Sequence, residues 1–184
     1  VRRGDELIGH GHTNSERQGE MSEAEEKSLL DSCRRRIGRE SGNPPGGWLS
    51  PWISESLATP DLLVETGYRY TLNWCHDDQP VRFKTRSGAL WSVPYPQELN
   101  DIPMIVARQM DGRDFAELIV DNFDEMLVQS QAQPLVMGIA LHPYIVGQPY
   151  RLRHLRRALS HIAQSRRAWF TTPGRICDVV EKLG

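Results

Sequence analysis

No apolar run in this sequence approaches the roughly 18–20 residues that a membrane-spanning helix needs, so a helical membrane span is excluded. A basic excess is also missing. Lys and Arg number 22 against 24 Asp and Glu, a net charge of −2. General nucleic-acid binding is therefore not expected, and Arg34-Arg35-Arg36 and Arg166-Arg167 read as solvated surface. Cysteine is scarce: Cys33, Cys75 and Cys177 are odd in number, widely separated and without C-x-x-C spacing. That excludes a disulfide framework and a zinc knuckle, and it points to a reducing, cytoplasmic compartment. Gly (15) and Pro (12) stay near average usage, which excludes collagen-like and low-complexity classes. The start shows no secretory pattern, and Val1 is not Met. The expectation is that the N-terminal part of the domain lies upstream. The 184 residues, 39% hydrophobic, suit a single domain over 1–184, or most of one.

Strand and helix signals alternate along the chain. Leu7-Ile8-Gly9 reads as a short buried strand ending at His10-Gly11-His12. Ser22-Glu23-Ala24-Glu25 is a capping box, opening a helix with Leu29, Leu30, Cys33 and Ile37 on one side that stops near Gly42. Trp48-Leu49 is a second strand. Thr59-Pro60 starts a helix with Gly67 as its C′ residue. Tyr68 to Trp74 is strand-like, and Arg82 to Val93 reads as a hairpin inserted after it, suited to a lid or a homo-oligomer contact. The longest helix is expected over Arg113 to Gln131, where Phe115, Leu118, Ile119, Phe123, Met126 and Leu127 form one stripe. Pro134 to Leu141 (PLVMGIAL) reads as a parallel strand covered on both faces. A helix with Leu152, Leu155, Leu159 and Ile162 follows. A last strand is expected at Ala168 to Thr171, then a helix opened by Thr172-Pro173. This alternation predicts a parallel α/β architecture, with too few strands to close an eight-stranded barrel: a piece of a barrel.

In such folds functional residues gather at the C-terminal ends of strands. His10, His12 and Asn14, Ser50 and Trp52, Asn73 to Gln79, and His142 occupy those positions. His10 and His12 share a face of an extended strand, but their spacing alone does not make a metal site.

Four motifs then carry a resemblance. Gly9-His10-Gly11-His12-Thr13-Asn14 resembles the second motif of the polysaccharide deacetylase (NodB-homology) superfamily, S-H-G-x-[ST]-H. Gly47-Trp48-Leu49-Ser50-Pro51-Trp52 is similar to its third, G-[FY]-R-x-P-[YWF]. Asn73-Trp74 resembles the Asp-Trp of the fourth. Leu141-His142-Pro143, with Gly147 and Arg151, resembles the fifth as written in the allantoinase-like branch, to which Asp77-Asp78-Gln79-Pro80 is also similar. The first motif, T-F-D-D-G, has no counterpart.

The resemblance implies a partial (β/α) barrel of the deformed seven-stranded type that hydrolyses carbon–nitrogen amide bonds of carbohydrates or other small molecules. It implies one divalent metal, commonly zinc, that polarises the carbonyl and activates water. Residue by residue, His142 matches the general acid and His10 the first metal ligand, with His12 and Asn14 the further metal candidates. Trp52, Trp74, Asp77, Asp78, Pro143 and Arg151 match the substrate-binding wall. The catalytic Asp would lie upstream of Val1, which leaves the 184 residues alone expected to be inactive.

Departures from the motifs also matter. Asn14 stands where the second metal His is usual, so metal binding is expected to be weak or absent in this chain. Leu49 replaces an Arg and Asn73 its Asp partner, which removes a charge pair together and strands neither member. Two other readings stay open: a ureide amidohydrolase, and a non-catalytic carbohydrate-binding or scaffold descendant in which Trp48, Trp52, Trp74, Trp91 and Tyr95 stack on sugar faces.

Overall fold

Ser22 opens α1 (Glu23–Ser41) with the capping box that its sequence encodes: its hydroxyl accepts from the Glu25 amide, and the Glu25 carboxylate accepts from the Ser22 amide at 2.9 Å. The helix ends at Gly42, whose φ of 82° is the left-handed C-cap conformation that glycine adopts without strain. The structure, a computed structural model, describes residues 3–183. Two compact units are resolved, one of Val1–Val93 with Thr171–Gly184 and one of Pro94–Phe170.

The first unit is built on a mixed, open sheet of β1 (Gly47–Trp48), β2 (Tyr70–Thr71), β3 (Val81–Thr85) and β4 (Gly88–Ser92), in the order β1-β2-β4-β3. The β1–β2 and β2–β4 pairs are parallel, and β3–β4 is antiparallel. The expected strand at Leu7 shrinks to one parallel bridge, Gly9 with Trp48, and Leu7 itself is exposed. Gly9 is glycine because the Trp48 ring lies against it: a Cβ there would sit 2.3 Å from Cε3. The hairpin is no appendage. Its second strand, β4, lies inside the sheet against β2 with Leu90 and Ser92 buried, and only β3, with exposed Arg82 and Lys84, forms an edge. α1 and α2 (Thr59–Glu65) cover this sheet through Leu29, Leu30, Leu62 and Leu63.

α6 (Pro173–Leu183) also belongs to this unit. Glu6 accepts from the Gly174 amide at 2.9 Å and from the Tyr70 hydroxyl at 2.6 Å, while Arg69 pairs with Asp178 and Glu181. Burial pushes the Cys33 thiol up to about 11 and the Cys177 thiol up to about 12, so both stay protonated at neutral pH. Cys75 is exposed. Iodoacetamide at about pH 8 is therefore expected to modify Cys75 in the folded protein, and Cys33 and Cys177 only after unfolding. Mass spectrometry of native and urea-treated samples reads this out; equal labelling of Cys177 and Cys75 in the native state would contradict the burial.

The second unit is helical. α3 (Gly112–Gln129) packs Phe115, Ile119 and Phe123 against Leu155, Ala158 and Ile162 of α5 (Pro149–Gln164), as the apolar stripes dictate. A short α4 (Pro143–Val146) precedes α5, and a π-helical turn covers Ile102–Ala107. Two expected strands are corrected here. Pro134 to Leu141 is extended but mostly half-buried, and its one ladder contact among the described residues is the parallel bridge of Ala140 with Asn100. Met137, Ile139 and Leu141 pack on the helical core from one side, so apolar character reflects that packing rather than a two-sided sheet. Ala168 to Thr171 makes no strand; Trp169 and Phe170 are 59% and 60% exposed, with no ladder to hold them.

Candidate functional site

At the C-terminal end of β1 a buried polar network replaces the expected charge pair. Trp48, fully buried, donates its indole N–H to Gln18 Oε1 at 3.0 Å and Ser50 Oγ at 2.9 Å. It is a core residue here, not a stacking surface. Gln18 Nε2 donates to Glu26 Oε1 at 2.7 Å, and an indole donor on one side with a carboxylate acceptor on the other fixes the amide orientation. Glu26, inaccessible to solvent, also accepts from the Thr59 and Ser56 hydroxyls. On the other side Asn73 Oδ1 accepts from the Ser50 amide at 2.7 Å. Its Nδ2 donates to Ser50 Oγ at 2.9 Å and to Glu55 Oε2 at 2.7 Å. Asn73 thus bridges neutral groups and one carboxylate, a task an Asp could not perform against Glu55.

Trp52 and Ile53 follow β1 with φ of 61° and 54°. Left-handed backbone at two successive non-glycine residues, one of them β-branched, costs on the order of 1–3 kcal/mol per residue. The turn is held from outside. The Trp52 indole donates to the Asn14 carbonyl at 2.6 Å, the Arg17 guanidinium lies 5.4 Å over its ring, and the Gly19 amide donates to Ser54 Oγ at 3.0 Å. The result is a Trp52 that is 67% exposed.

The two histidines of the second motif separate. His10 Nδ1–H donates to the Leu49 carbonyl at 2.5 Å, so its lone pair is on Nε2 when neutral. Ser32 commits its hydroxyl proton to the Leu29 carbonyl, so His12 Nε2–H donates to Ser32 Oγ at 2.8 Å while Nδ1 faces Glu16 at 3.8 Å. Asn14 offers its carbonyl to Trp52. Zinc sites need three or four converging donors, and among the described residues no three His, Cys, Asp or Glu side chains converge. The donor set of His10, His12 and Asn14 does not fit such an ion. Trp74 is 48% exposed, and Asp77 and Asp78 form an exposed turn in which Asp77 Oδ1 accepts from the Asp78 amide at 2.7 Å.

In the second unit His142 caps α4, with Pro143 as its first residue. Its Nδ1–H donates to Asp101 Oδ1 at 2.6 Å, and its backbone amide donates to Asp101 Oδ2 at 2.7 Å. Asp101 is fully buried, whereas the His142 side chain is 25% exposed. A carboxylate on Nδ1 fixes the tautomer and leaves Nε2 to exchange protons. Arg151 is not beside His142: it donates to the Ile145 carbonyl at 3.3 Å and lies 5.0 Å over Tyr150. Sequence reasoning missed Asp101 and Glu55. The first sits 41 residues from its partner, its only local signal being the Asn100-Asp101 pair before Pro103.

No family model matches the chain. Over 208 aligned residues it is 23% identical to the peptidoglycan deacetylase of Helicobacter pylori, covering 95% of this chain and 70% of that protein. The crystal structure of PuuE allantoinase matches with a TM-score of 0.88 and 26% identity, over 97% of this chain and 59% of that one. A Pseudomonas aeruginosa protein described as a probable polysaccharide deacetylase matches in fold, with a TM-score of 0.89 at 24% identity, over 99% of this chain and 61% of that one. The chain thus spans 59% and 61% of these two solved structures. The resemblance to polysaccharide deacetylases and allantoinase extends over nearly the whole of this chain, in sequence and in fold.

Proposed function

We propose that these residues are the C-terminal portion of a single polysaccharide deacetylase-like barrel domain, which hydrolyses carbon–nitrogen, non-peptide amide bonds with His142 as general acid. The observation that carries the reading is the buried Asp101 carboxylate on His142 Nδ1. It fixes Nδ1 as the hydrogen-bonded nitrogen and leaves Nε2 as the one that can pass a proton to a departing nitrogen as the C–N bond breaks. Asp101 is a positioning residue: it acts through the imidazole. His10, with Nδ1–H on Leu49, presents Nε2 as a second acceptor at a strand end. No step here is routed through a metal, since the donors do not converge.

The substrate class is an N-acylated carbohydrate or another small amide; within the first unit, exposed Trp52 and Trp74 offer stacking faces and Asp77 and Asp78 a polar rim. A ureide substrate is the second reading, favoured by the 26% identity to allantoinase and by the Asp77-Asp78-Gln79-Pro80 run. No helix among the described residues is long and apolar enough to cross a membrane; a cytoplasmic location rests on the cysteine reading alone. Incubation of a protein carrying the whole domain with N-acetylated chito-oligosaccharides and, separately, with allantoin tests the substrate class, since these residues alone are expected to be inactive. Acetate release supports deacetylation, ring opening supports the second reading, and neither product would refute hydrolysis.

A further inference from the structure

We propose that Glu55 is a substrate-binding carboxylate of the strand-end face, accepting a hydrogen bond from an N–H or O–H donor of the substrate. The inference deepens the functional reading above and rests on it. Glu55 Oε2 is anchored by Asn73 Nδ2 at 2.7 Å. Oε1 has no hydrogen-bond partner among the described residues, so one oxygen is fixed and the other is left to a ligand.

Three further features converge on it. The left-handed pair Trp52-Ile53 redirects the chain so that Trp52 is exposed and Glu55 reaches Asn73, just past the C-terminal end of β2. Strain of this kind persists only where the surroundings enforce it, and it concentrates at functional sites. Gly19 permits the approach: a Cβ there would lie 2.6 Å from the Glu55 carbonyl oxygen. Asn73, rather than the Asp usual in the motif, supplies a donor where a second carboxylate would repel Glu55. The structure thus holds a carboxylate by a neutral amide, with no salt bridge to it among the described residues.

Burial raises the Glu55 carboxyl above the ordinary Glu range, opposed by the Asn73 hydrogen bond and by His76 and reinforced by Glu26. Relative to the unfolded chain, the folded form therefore holds the Glu55 proton more tightly. Stability contributed by Glu55 is present at low pH and lost as pH rises from the unfolded value through the raised folded one.

The test is ligand binding by a purified protein carrying the whole domain, followed by tryptophan fluorescence, with tri-N-acetylchitotriose and allantoin as probes. The first reports an N-acyl sugar and the second a ureide. Glu55→Gln is expected to weaken the bound probe by roughly 10–100-fold. Wild-type affinity should fall as pH drops through the raised Glu55 range, and Glu55→Gln should lose that dependence. Thermal unfolding separates this from a structural role: Glu55→Gln should be as stable as wild type or more so at about pH 7, the gap closing toward acid. Equal affinity of Glu55→Gln and wild type, or an unchanged pH dependence, overturns the proposal. Absence of binding to both probes by the wild type overturns it too. Binding with no hydrolysis of either probe refutes the catalytic reading alone and leaves the Glu55 assignment standing.

Discussion

Replacing His142 by Gln is expected to lower the rate of amide hydrolysis by on the order of 10²–10⁴, the range for loss of a positioned general acid. The expectation follows from a fixed geometry. A carboxylate can only accept, so the proton between Asp101 Oδ1 and His142 Nδ1 belongs to the ring. The second Asp101 oxygen takes the His142 backbone amide, which holds the ring and its backbone to one buried group. Gln has no second ring nitrogen and cannot carry the proton to the leaving group. The loss should shrink for substrates whose leaving nitrogen is weakly basic, because their departure needs less proton donation. A merely structural role would not discriminate between leaving groups. Asp101→Asn should lower the rate in the same sense with the fold retained, since Asn keeps the volume but offers one acceptor oxygen where the ring Nδ1–H and the His142 amide need two. If His142→Gln turned over all substrates at the wild-type rate, the assignment would fail.

The second large effect is on stability. Glu26→Ala should destabilise the protein by about 2–4 kcal/mol, because it strips the common acceptor from the Gln18 amide and the Thr59 and Ser56 hydroxyls inside a buried network. The hydroxyls can partly recover: Ser56 and Thr59 oxygens already lie 3.4 Å apart. Gln18 cannot turn over, since Trp48 and Ser50 require its Oε1. Glu26→Gln preserves volume but sets two new donors against existing donors, so it should recover little of the loss. Urea unfolding monitored by tryptophan fluorescence measures both variants from their midpoints. Wild-type stability of Glu26→Gln would show that the carboxylate is dispensable.

What the sequence made legible is what local chemistry decides. The Ser22–Glu25 capping box, Gly42 as helix stop, and the Phe115–Ile119–Phe123 stripe each depend on residues within a few positions, and each stands in the structure. Pairing is non-local, and there the reading diverged. The Ser87-Gly88 turn correctly marked a hairpin, but nothing within it disclosed that β4 would pair in parallel with β2. PLVMGIAL reads as a covered strand because an apolar run looks alike whether a sheet or helices bury it. Ala140 alone bridges. The same limit applies to the candidate site. His10 and His142 stood out by residue type and motif, but Asp101 and Glu55 are ordinary acids in loop-like sequence. Only folding, which brings Asp101 to His142 and Asn73 to Glu55, gives them chemical meaning.

The central claim, a deacetylase-like C–N hydrolase, is tested most directly by incubating a purified protein carrying the whole domain with tri-N-acetylchitotriose and measuring acetate and free amine together. The account predicts that both appear in equal amounts and that both are lost in His142→Gln. Binding of the oligosaccharide with no acetate released, and no opening of allantoin in a parallel sample, would contradict it and identify a carbohydrate-binding relative without catalysis.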